Sequence, residues 1–138
     1  MKVYVDTCIF RDNIEKRQSR YLPYSRFSED FFLEGLNCKY SFMCSDWTMY
    51  QLKEFDSHPL KTRLFEEMKN NDKFLYVEVI EDDKKMAARF DTDYEDAVHA
   101  CIAMRNGASY LVTRNVTHFG CFHGDTLKII FPEHAYLI

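Results

Sequence analysis

The chain has few residues that break regular structure and no long apolar run. Its 138 residues include 4 glycines and 3 prolines, whereas hydrophobic residues make up 46%. That composition excludes a disordered or fibrous chain, and the length suits one domain spanning residues 1–138. Asp6 interrupts the apolar N-terminal run before a signal-peptide core forms, and no later stretch approaches the length of a membrane span. We therefore expect a cytoplasmic protein without membrane contact.

Paired cysteines and zinc-type spacings are also missing. The 5 cysteines are odd in number, contain no C-x-x-C pair and mostly lie in apolar runs, which predicts reduced, mostly buried thiols. The cysteines and the 5 histidines lack the tight paired spacings of zinc sites. His99 and His118 are therefore interpreted as packing or surface residues rather than as ligands.

A strong positive charge is absent as well. The net charge of −4 argues against a nucleic-acid binder that relies on a strongly basic face, although a metal ion would supply positive charge locally. One stretch is rich in basic residues, and it is explained equally well as a solvated helix face or as a contact for phosphates. Its members are Arg11, Lys16, Arg17, Arg20 and Arg26.

The apolar pattern predicts strands that alternate with helices. Strands are expected at residues 2–6, 40–44, 74–80, 110–113 and 127–131. Helices are expected at 25–36, from 45 or 46 to 55, at 59–68, over a short span from 81, and at 93–106. In the last helix Ala97, Ala100, Cys101 and Met104 share one face, and Gly107 marks the end. The alternation predicts an α/β protein, a three-layer α/β/α sandwich with a central parallel five-stranded sheet.

Polar residues follow two of these predicted strands. Asp6 ends the first strand, and Asn115 follows the fourth by two residues. Ligands of open α/β sheets bind beyond the carboxyl ends of the strands where the strand order reverses, so these residues converge if the two strands are neighbours. A carboxylate there is partly desolvated and requires a cation or donors. Alternatively, Asp6 caps the next turn through the amides of Thr7 and Cys8, and the spacing does not decide between the two.

Two further acids, Asp93 and Asp96, stand three residues apart at the start of a predicted helix, so they share one face. Capping is the favoured interpretation, with Asp93 as N-cap and Asp96 at the third helical position, where the helix dipole stabilises both charges. A metal site is compatible with capping. Acids that converge from remote segments meet the demand of Mg²⁺ for oxygen ligands, and such an ion suits phosphodiester hydrolysis.

Three segments together resemble the signature blocks of PIN domains. They are VYVDTC at residues 3–8, DYEDA at 93–97 and YLVTRNVTHF at 110–119, and the closing FPE at 131–133 is similar to the usual end of the family. Their order and spacing agree with the family over nearly the whole chain. The resemblance implies a PIN-like fold and a ribonuclease site dependent on Mg²⁺ or Mn²⁺. Many compact bacterial members are VapC-type toxins that a cognate antitoxin neutralises.

The resemblance also implies roles for individual residues. Asp6 would be the first metal ligand with Thr7 supporting it, and Asp96 would be the central metal-binding acid. Beside these the family pattern implies Asp93 as a further ligand, Asn115 in a position that is often Asp in relatives, and Thr113 as a supporting polar group. In the implied mechanism these residues hold the ion, and a metal-activated water attacks the phosphodiester.

The sequence departs from the family at one acidic position. PIN domains usually carry a Glu on the helix after the second strand, about six residues beyond a Ser, and counting from Ser45 leads to the neutral Gln51. Glu54 lies about one helical turn further on. We predict that Glu54 supplies the catalytic acid and that Gln51 supports the site. A surface pairing of Glu54 with Lys53 or Lys61 is an equal alternative.

The leading functional hypothesis is therefore a metal-dependent endoribonuclease that acts as the toxin of a toxin–antitoxin pair. It would bind RNA and an antitoxin protein, and it would form the homodimer that is common in the family. An apolar groove for the antitoxin is expected from exposed aromatic residues, although their helical spacing is more typical of a core: Phe27, Phe31, Phe32 and Trp47. A catalytically weak PIN-like domain that binds RNA or protein is the alternative, followed by a phosphatase or nucleotide hydrolase.

Overall fold

The computed structural model describes all residues from Met1 to Ile138. Its five strands form one parallel sheet: β1 (Lys2–Val5), β2 (Ser41–Ser45), β3 (Phe74–Val77), β4 (Tyr110–Val112) and β5 (Lys128–Ile130). The strand order is β3-β2-β1-β4-β5. Each strand lies where the sequence predicts one, but β3 ends at Val77 instead of residue 80. Asp6 lies just beyond β1.

Seven helices surround the sheet: α1 (Thr7–Ile14), α2 (Tyr24–Leu36), α3 (Asp46–Gln51), α4 (Pro59–Asn70), α5 (Glu81–Ala87), α6 (Tyr94–Arg105) and α7 (Val116–Phe119). Short 3-10 turns occupy Lys53–Phe55, Gly120–Phe122 and Pro132–Leu137. The sequence prediction lacks α1 and α7. It also joins α3 and the turn Lys53–Phe55 into one helix, whereas the structure separates them at Leu52. That separation changes the direction of the side chains beyond Gln51.

Alternate residues of the sheet face two separate hydrophobic cores. Val3 and Val5 belong to the core on one side, which α1, α2 and α4 cover. Tyr4 belongs to the core on the other side, which α5, α6 and α7 cover. Parallel sheets are normally covered on both faces in this way. The predicted three-layer α/β/α sandwich is confirmed.

Helix α6 is buried on every side over most of its length. All of its residues from 97 to 103 are buried, because small side chains let the helix pack closely against the sheet and α5. Met104, which the sequence pattern places on the buried face, is 38% exposed. The helix ends as predicted at Gly107, whose φ of 73° is readily adopted only by glycine. This helix carries Asp96 and His99 toward the sheet edge.

The predicted aromatic groove is not formed by the residues assigned to it. Phe31 and Phe32 of α2 are 1% and 2% exposed and pack against Phe42 of β2, so they belong to the core. Phe27 and Trp47 are half-buried. The helical spacing of these aromatic residues therefore reflects core packing.

The cysteines are all free, as predicted, but they are less buried than expected. Cys44 and Cys101 are buried, whereas Cys38 and Cys121 are exposed. None of the helices combines the length and the apolar character that crossing a bilayer would require.

A candidate metal site at the carboxyl edge of the sheet

The strand order reverses between β1 and β4, which pair in parallel with Val5 opposite Val112. The backbone N–H of Asp6 continues this ladder by donating to the Val112 carbonyl at 3.0 Å. The hydroxyl of Thr113, the residue after β4, donates to Asp6 Oδ2 at 2.7 Å. The predicted meeting of these two strand ends is confirmed, and it places Asp6 at the position where open α/β sheets bind ligands.

The carboxylate of Asp6 is 3% exposed and receives only neutral donors. Its Oδ1 accepts from the Thr7 amide at 2.7 Å, which makes Asp6 the N-cap of α1, and Cys8 Sγ lies 3.2 Å from Oδ2. Burial raises the pKa of Asp6 to about 6, and the charge of Asp96 acts in the same direction. No Lys or Arg side chain pairs with it. Asp6 therefore fits both sequence interpretations: it caps a helix, and it carries a charge that no cationic side chain compensates.

The acids at the start of α6 form a helix cap and a contact with a histidine. Asp93 Oδ1 accepts from the Asp96 amide at 3.0 Å, so Asp93 is the N-cap that the sequence predicts. The Asp96 side chain is 13% exposed, and its pKa is raised mainly by burial, while a hydrogen bond from His118 opposes the shift. His118 Nδ1 lies 2.7 Å from Asp96 Oδ2, and this bond raises the pKa of the imidazole.

Asp93, Asp96 and His118 offer ligand atoms that lie within 4.8 Å of one another. The sequence interpretation treats His118 as a packing or surface residue, and its side chain is indeed 48% exposed. Its contact with Asp96 could not be read from spacing, because the two residues come from α6 and α7. The carboxylate oxygens of this set suit Mg²⁺ and Mn²⁺, whereas an imidazole nitrogen is more typical of softer transition-metal ions.

Asp6 and Asp96 line one open cleft of about 290 Å³. The remaining lining residues are Thr7, Cys8, Arg11, Gln51, Glu95 and Asn115. The cleft thus brings together most of the residues that the family pattern assigns to the site. Sequence reasoning does not assign the side chains of Cys8 and Glu95 to the site, and it names Arg11 only as one member of the basic stretch. A prediction of α1 would have found Arg11, since it lies four residues beyond Thr7 on the same helix face.

Asn115 reaches the cleft on a loop held by Arg114, whose side chain is only 11% exposed. The Arg114 guanidinium lies over the Tyr24 ring at 4.2 Å and donates to Asp12 at 3.2 Å. It also donates twice to Glu133 near the C-terminus, at 2.9 and 2.7 Å. Asn115 occupies the N-cap position of α7 without a side-chain capping bond, so its amide is available to the cleft.

Gln51, and not Glu54, lies at the cleft, contrary to the sequence prediction. Gln51 Oε1 accepts from Thr7 Oγ1 at 2.5 Å and from His99 Nε2 at 2.7 Å, and Nε2 donates to Glu95 Oε2 at 3.2 Å. Glu54 lies in the turn after α3, outside the cleft, and forms an ion pair with Arg11. The break of the helix at Leu52 explains the difference, since it removes the register on which the prediction depends.

His99 is completely buried beneath the cleft, so the packing interpretation is correct but incomplete. Its Nδ1 lies 2.7 Å from the Tyr4 hydroxyl, which lies 2.7 Å from Ser45 Oγ. Burial lowers the pKa of His99 to about 3, so the ring is neutral near neutral pH. On the same helix as His99, the Glu95 carbonyl accepts from the Trp47 indole at 3.3 Å.

The basic stretch contributes one residue to the cleft. Arg11 donates to the Gln51 carbonyl at 3.2 Å, and its side chain is 27% exposed. Arg17 pairs with Asp12 and Glu15, whereas Lys16, Arg20 and Arg26 are exposed. A phosphate in the cleft would therefore meet the guanidinium of Arg11 beside the acids.

The sequence matches no known protein-family model and no curated protein. Solved structures, however, share its fold. A chain in the crystal structure of VapBC2 from Rickettsia felis bound to a DNA fragment from their promoter has a TM-score of 0.60 and 15% identity. That similarity covers 94% of this chain and 98% of the other.

A chain of a toxin–antitoxin complex from Klebsiella pneumoniae has a TM-score of 0.62 and 17% identity, and the similarity covers 94% of this chain and 97% of that one. At such identities the similarity defines the fold. It spans nearly the whole of each chain and agrees with the five-stranded parallel sheet and with the three sequence blocks. The chain therefore has the fold of a VapC-type PIN domain.

Proposed function

We propose that this protein is an endoribonuclease that depends on Mg²⁺ or Mn²⁺ and hydrolyses RNA phosphodiester bonds. The observation that carries the proposal is the convergence of Asp6 and Asp96 in one cleft at the reversal of the strand order. Asp6 is a buried acid that no cationic side chain compensates. A buried charge of this kind is costly, and a bound cation would offset the cost.

The donor set of the cleft fits a hard divalent cation. Asp6 and Asp96 offer carboxylate oxygens from remote segments, Asn115 lines the same cleft, and Asp93 offers an oxygen close to that of Asp96. When bound, such an ion polarises a phosphoryl oxygen and makes a coordinated water a better nucleophile.

The residues of the chain would each contribute separately to the reaction. Thr113 and the Thr7 amide hold the Asp6 carboxylate in one orientation. The Asn115 amide would orient water at the rim of the cleft. Arg11 would attract the phosphate, because its guanidinium suits phosphate oxygens.

RNA cleavage in the presence of Mn²⁺ tests the proposal. The wild type should cleave a mixed RNA pool, whereas Asp6→Asn and Asp96→Asn should each lower the rate by at least about 100-fold. Loss of a metal ligand weakens the binding of the cation that stabilises negative charge at the reacting phosphate. Glu81→Gln removes an exposed acid elsewhere and serves as the matched control. Equal rates for the wild type and the two Asn variants would exclude the nuclease function.

We further propose that the protein is the toxin of a toxin–antitoxin pair and that it acts in the cytoplasm as a homodimer. The names of the two similar complexes support an antitoxin partner for this chain. Coexpression with the product of an adjacent small gene tests this: a stable complex that suppresses cleavage is expected. Size measurement of the purified chain tests the dimer.

A catalytically weak domain that binds RNA or protein is the second candidate. Gln51 favours it, because this neutral residue lies in the cleft where the family usually has a Glu. Binding of RNA without cleavage, unchanged by Asp6→Asn, would support this candidate over the nuclease.

A further inference from the structure

The orientation of the Gln51 amide is fixed by its three neighbours. Glu95 Oε2 lies 3.2 Å from one end of the amide, and a carboxylate can only accept hydrogen bonds. The NH₂ group must therefore face Glu95. The amide oxygen then faces Thr7 Oγ1 and His99 Nε2, both of which can donate.

The hydrogen bonds beneath Gln51 agree with this orientation. Because the Gln51 oxygen can only accept, the neutral His99 ring carries its proton on Nε2 and donates it to Gln51. His99 Nδ1 is then an acceptor, and the Tyr4 hydroxyl donates to it. Ser45 completes the chain by its contact with Tyr4, so the bonds run from β2 through β1 and α6 to α3.

These contacts leave Gln51 without a free oxygen for a cation. Its Oε1 accepts two hydrogen bonds, which occupy both lone pairs, and the amide nitrogen has no lone pair to offer. The group that Gln51 presents to the cleft is an N–H donor. Its acceptor is Glu95, whose carboxylate has no other side-chain partner and lines the same cleft as Asp6 and Asp96.

We propose that Gln51 is a positioning residue that holds Glu95 in the cleft, and that Glu95 supplies the metal site with the carboxylate that position 51 lacks. This inference rests on the metal site of the proposed function. It explains how the cleft keeps a third acid although Glu54 points elsewhere and pairs with Arg11.

Calorimetric titration of the metal-free full-length protein with Mn²⁺ tests the assignment without measuring activity. Glu95→Gln should weaken Mn²⁺ binding about 10- to 100-fold, as loss of a ligand or of its support typically does. Glu81→Gln should bind as the wild type does. Gln51→Met, which keeps the length but removes the donor, should weaken binding in the same direction and add little when combined with Glu95→Gln.

A rescue variant separates positioning from a general structural effect. In Gln51→Glu combined with Glu95→Gln, one oxygen of the new carboxylate accepts from Thr7 and His99 and the other faces the cleft, so tight Mn²⁺ binding should return. Circular dichroism confirms that each variant is folded. The assignment would be overturned if Glu95→Gln bound Mn²⁺ as tightly as Glu81→Gln does. It would also be overturned if the double variant bound Mn²⁺ no more tightly than Glu95→Gln does.

The same titrations distinguish failure of this assignment from failure of the proposed function. If Asp96→Asn weakens Mn²⁺ binding and Glu95→Gln does not, only the role of Glu95 is overturned. If the wild type binds no Mn²⁺, both the metal site and the role of Glu95 are overturned.

Discussion

At the scale of single residues, the cleft contains charge that its surroundings do not compensate. Asp6 is the clearest case, because its neighbours are a hydroxyl, an amide and a thiol. Burial raises its pKa to about 6, above the value of 3.8 that applies in an unfolded chain. The folded state therefore binds this proton more tightly, and the ionised form opposes folding.

Asp6→Asn should consequently stabilise the metal-free protein at neutral pH. The cost of the ionised carboxylate is fully present above pH 6, decreases as the pH falls toward 3.8 and is absent below that value. Its size is on the order of 3 kcal/mol. Urea unfolding with EDTA should show the Asn variant to be more stable at about pH 7.5, with the difference shrinking toward pH 4. An equal or lower stability of the variant at both pH values would contradict this.

Glu54 provides a second test at this scale. Its side chain is 57% exposed and pairs with Arg11, and exposed pairs contribute about 0–1 kcal/mol. Glu54→Gln should therefore change the free energy of unfolding little and alter Mn²⁺ affinity far less than Glu95→Gln. Parallel calorimetric titrations check the comparison, and a larger effect for Glu54 would restore the sequence-based prediction that Glu54 supplies the catalytic acid.

At the scale of elements, the site depends on where helices begin and how closely they pack. The three sequence blocks predicted Asp6, Asp96 and Asn115 in one cleft because each block lies at a strand end or a helix start. The position of Gln51 could not be predicted, because it depends on the end of α3 at Leu52 and on a buried histidine from α6. Helix α1 has the weaker pattern Ile9, Phe10 and Ile14, which is too short for a periodic signal.

Gly35 tests the packing of α2 against the sheet. A Cβ at this position would lie 2.2 Å from Phe42 Cζ and 2.7 Å from Tyr40 Cε2, so the helix or the rings would have to move. Gly35→Ala should cost about 1–3 kcal/mol, as overpacking does. Gly120→Ala is the matched control, because nothing lies within 4 Å of its Cβ. Urea unfolding compares the two, and equal stabilities would show that the core adapts.

Asp93 allows capping and metal binding to be separated. Asp93→Ala removes the cap of α6 and should cost about 0.5–2 kcal/mol, whereas Asp93→Ser retains a capping oxygen and should be close to the wild type. Both variants lose the carboxylate, so both should weaken Mn²⁺ binding to the same extent. Thermal unfolding and Mn²⁺ titration together check this, and a full affinity in the Ser variant would remove Asp93 from the metal site.

At the scale of the whole molecule, the cleft joins segments that are far apart in the sequence. Its lining residues come from the ends of β1 and β4 and from α1, α3 and α6, so an ion bound there would connect both layers of helices through the sheet. Topology was the most predictable property at this scale, since alternating strands and helices permit few arrangements. The side-chain network beneath the cleft was the least predictable.

Mn²⁺ should therefore stabilise the entire fold. A ligand that binds only the folded state adds about 2.7 kcal/mol at a free concentration 100 times its Kd. The thermal midpoint of the wild type should rise with Mn²⁺ and return after EDTA, and the rise should diminish as the pH falls below about 6, where Asp6 becomes protonated. Asp6→Asn should lose most of this response. A midpoint unaffected by Mn²⁺ at neutral pH would exclude a metal site that couples these segments.

The position of Trp47 gives the protein an optical reporter of its own. It is the single tryptophan of the chain, and its indole donates to the backbone carbonyl of Glu95. Tryptophan fluorescence therefore originates beside the cleft and nowhere else in the molecule. Mn²⁺ is paramagnetic and quenches a nearby indole, whereas Mg²⁺ does not, so competition between the two ions can be followed in the unlabelled protein.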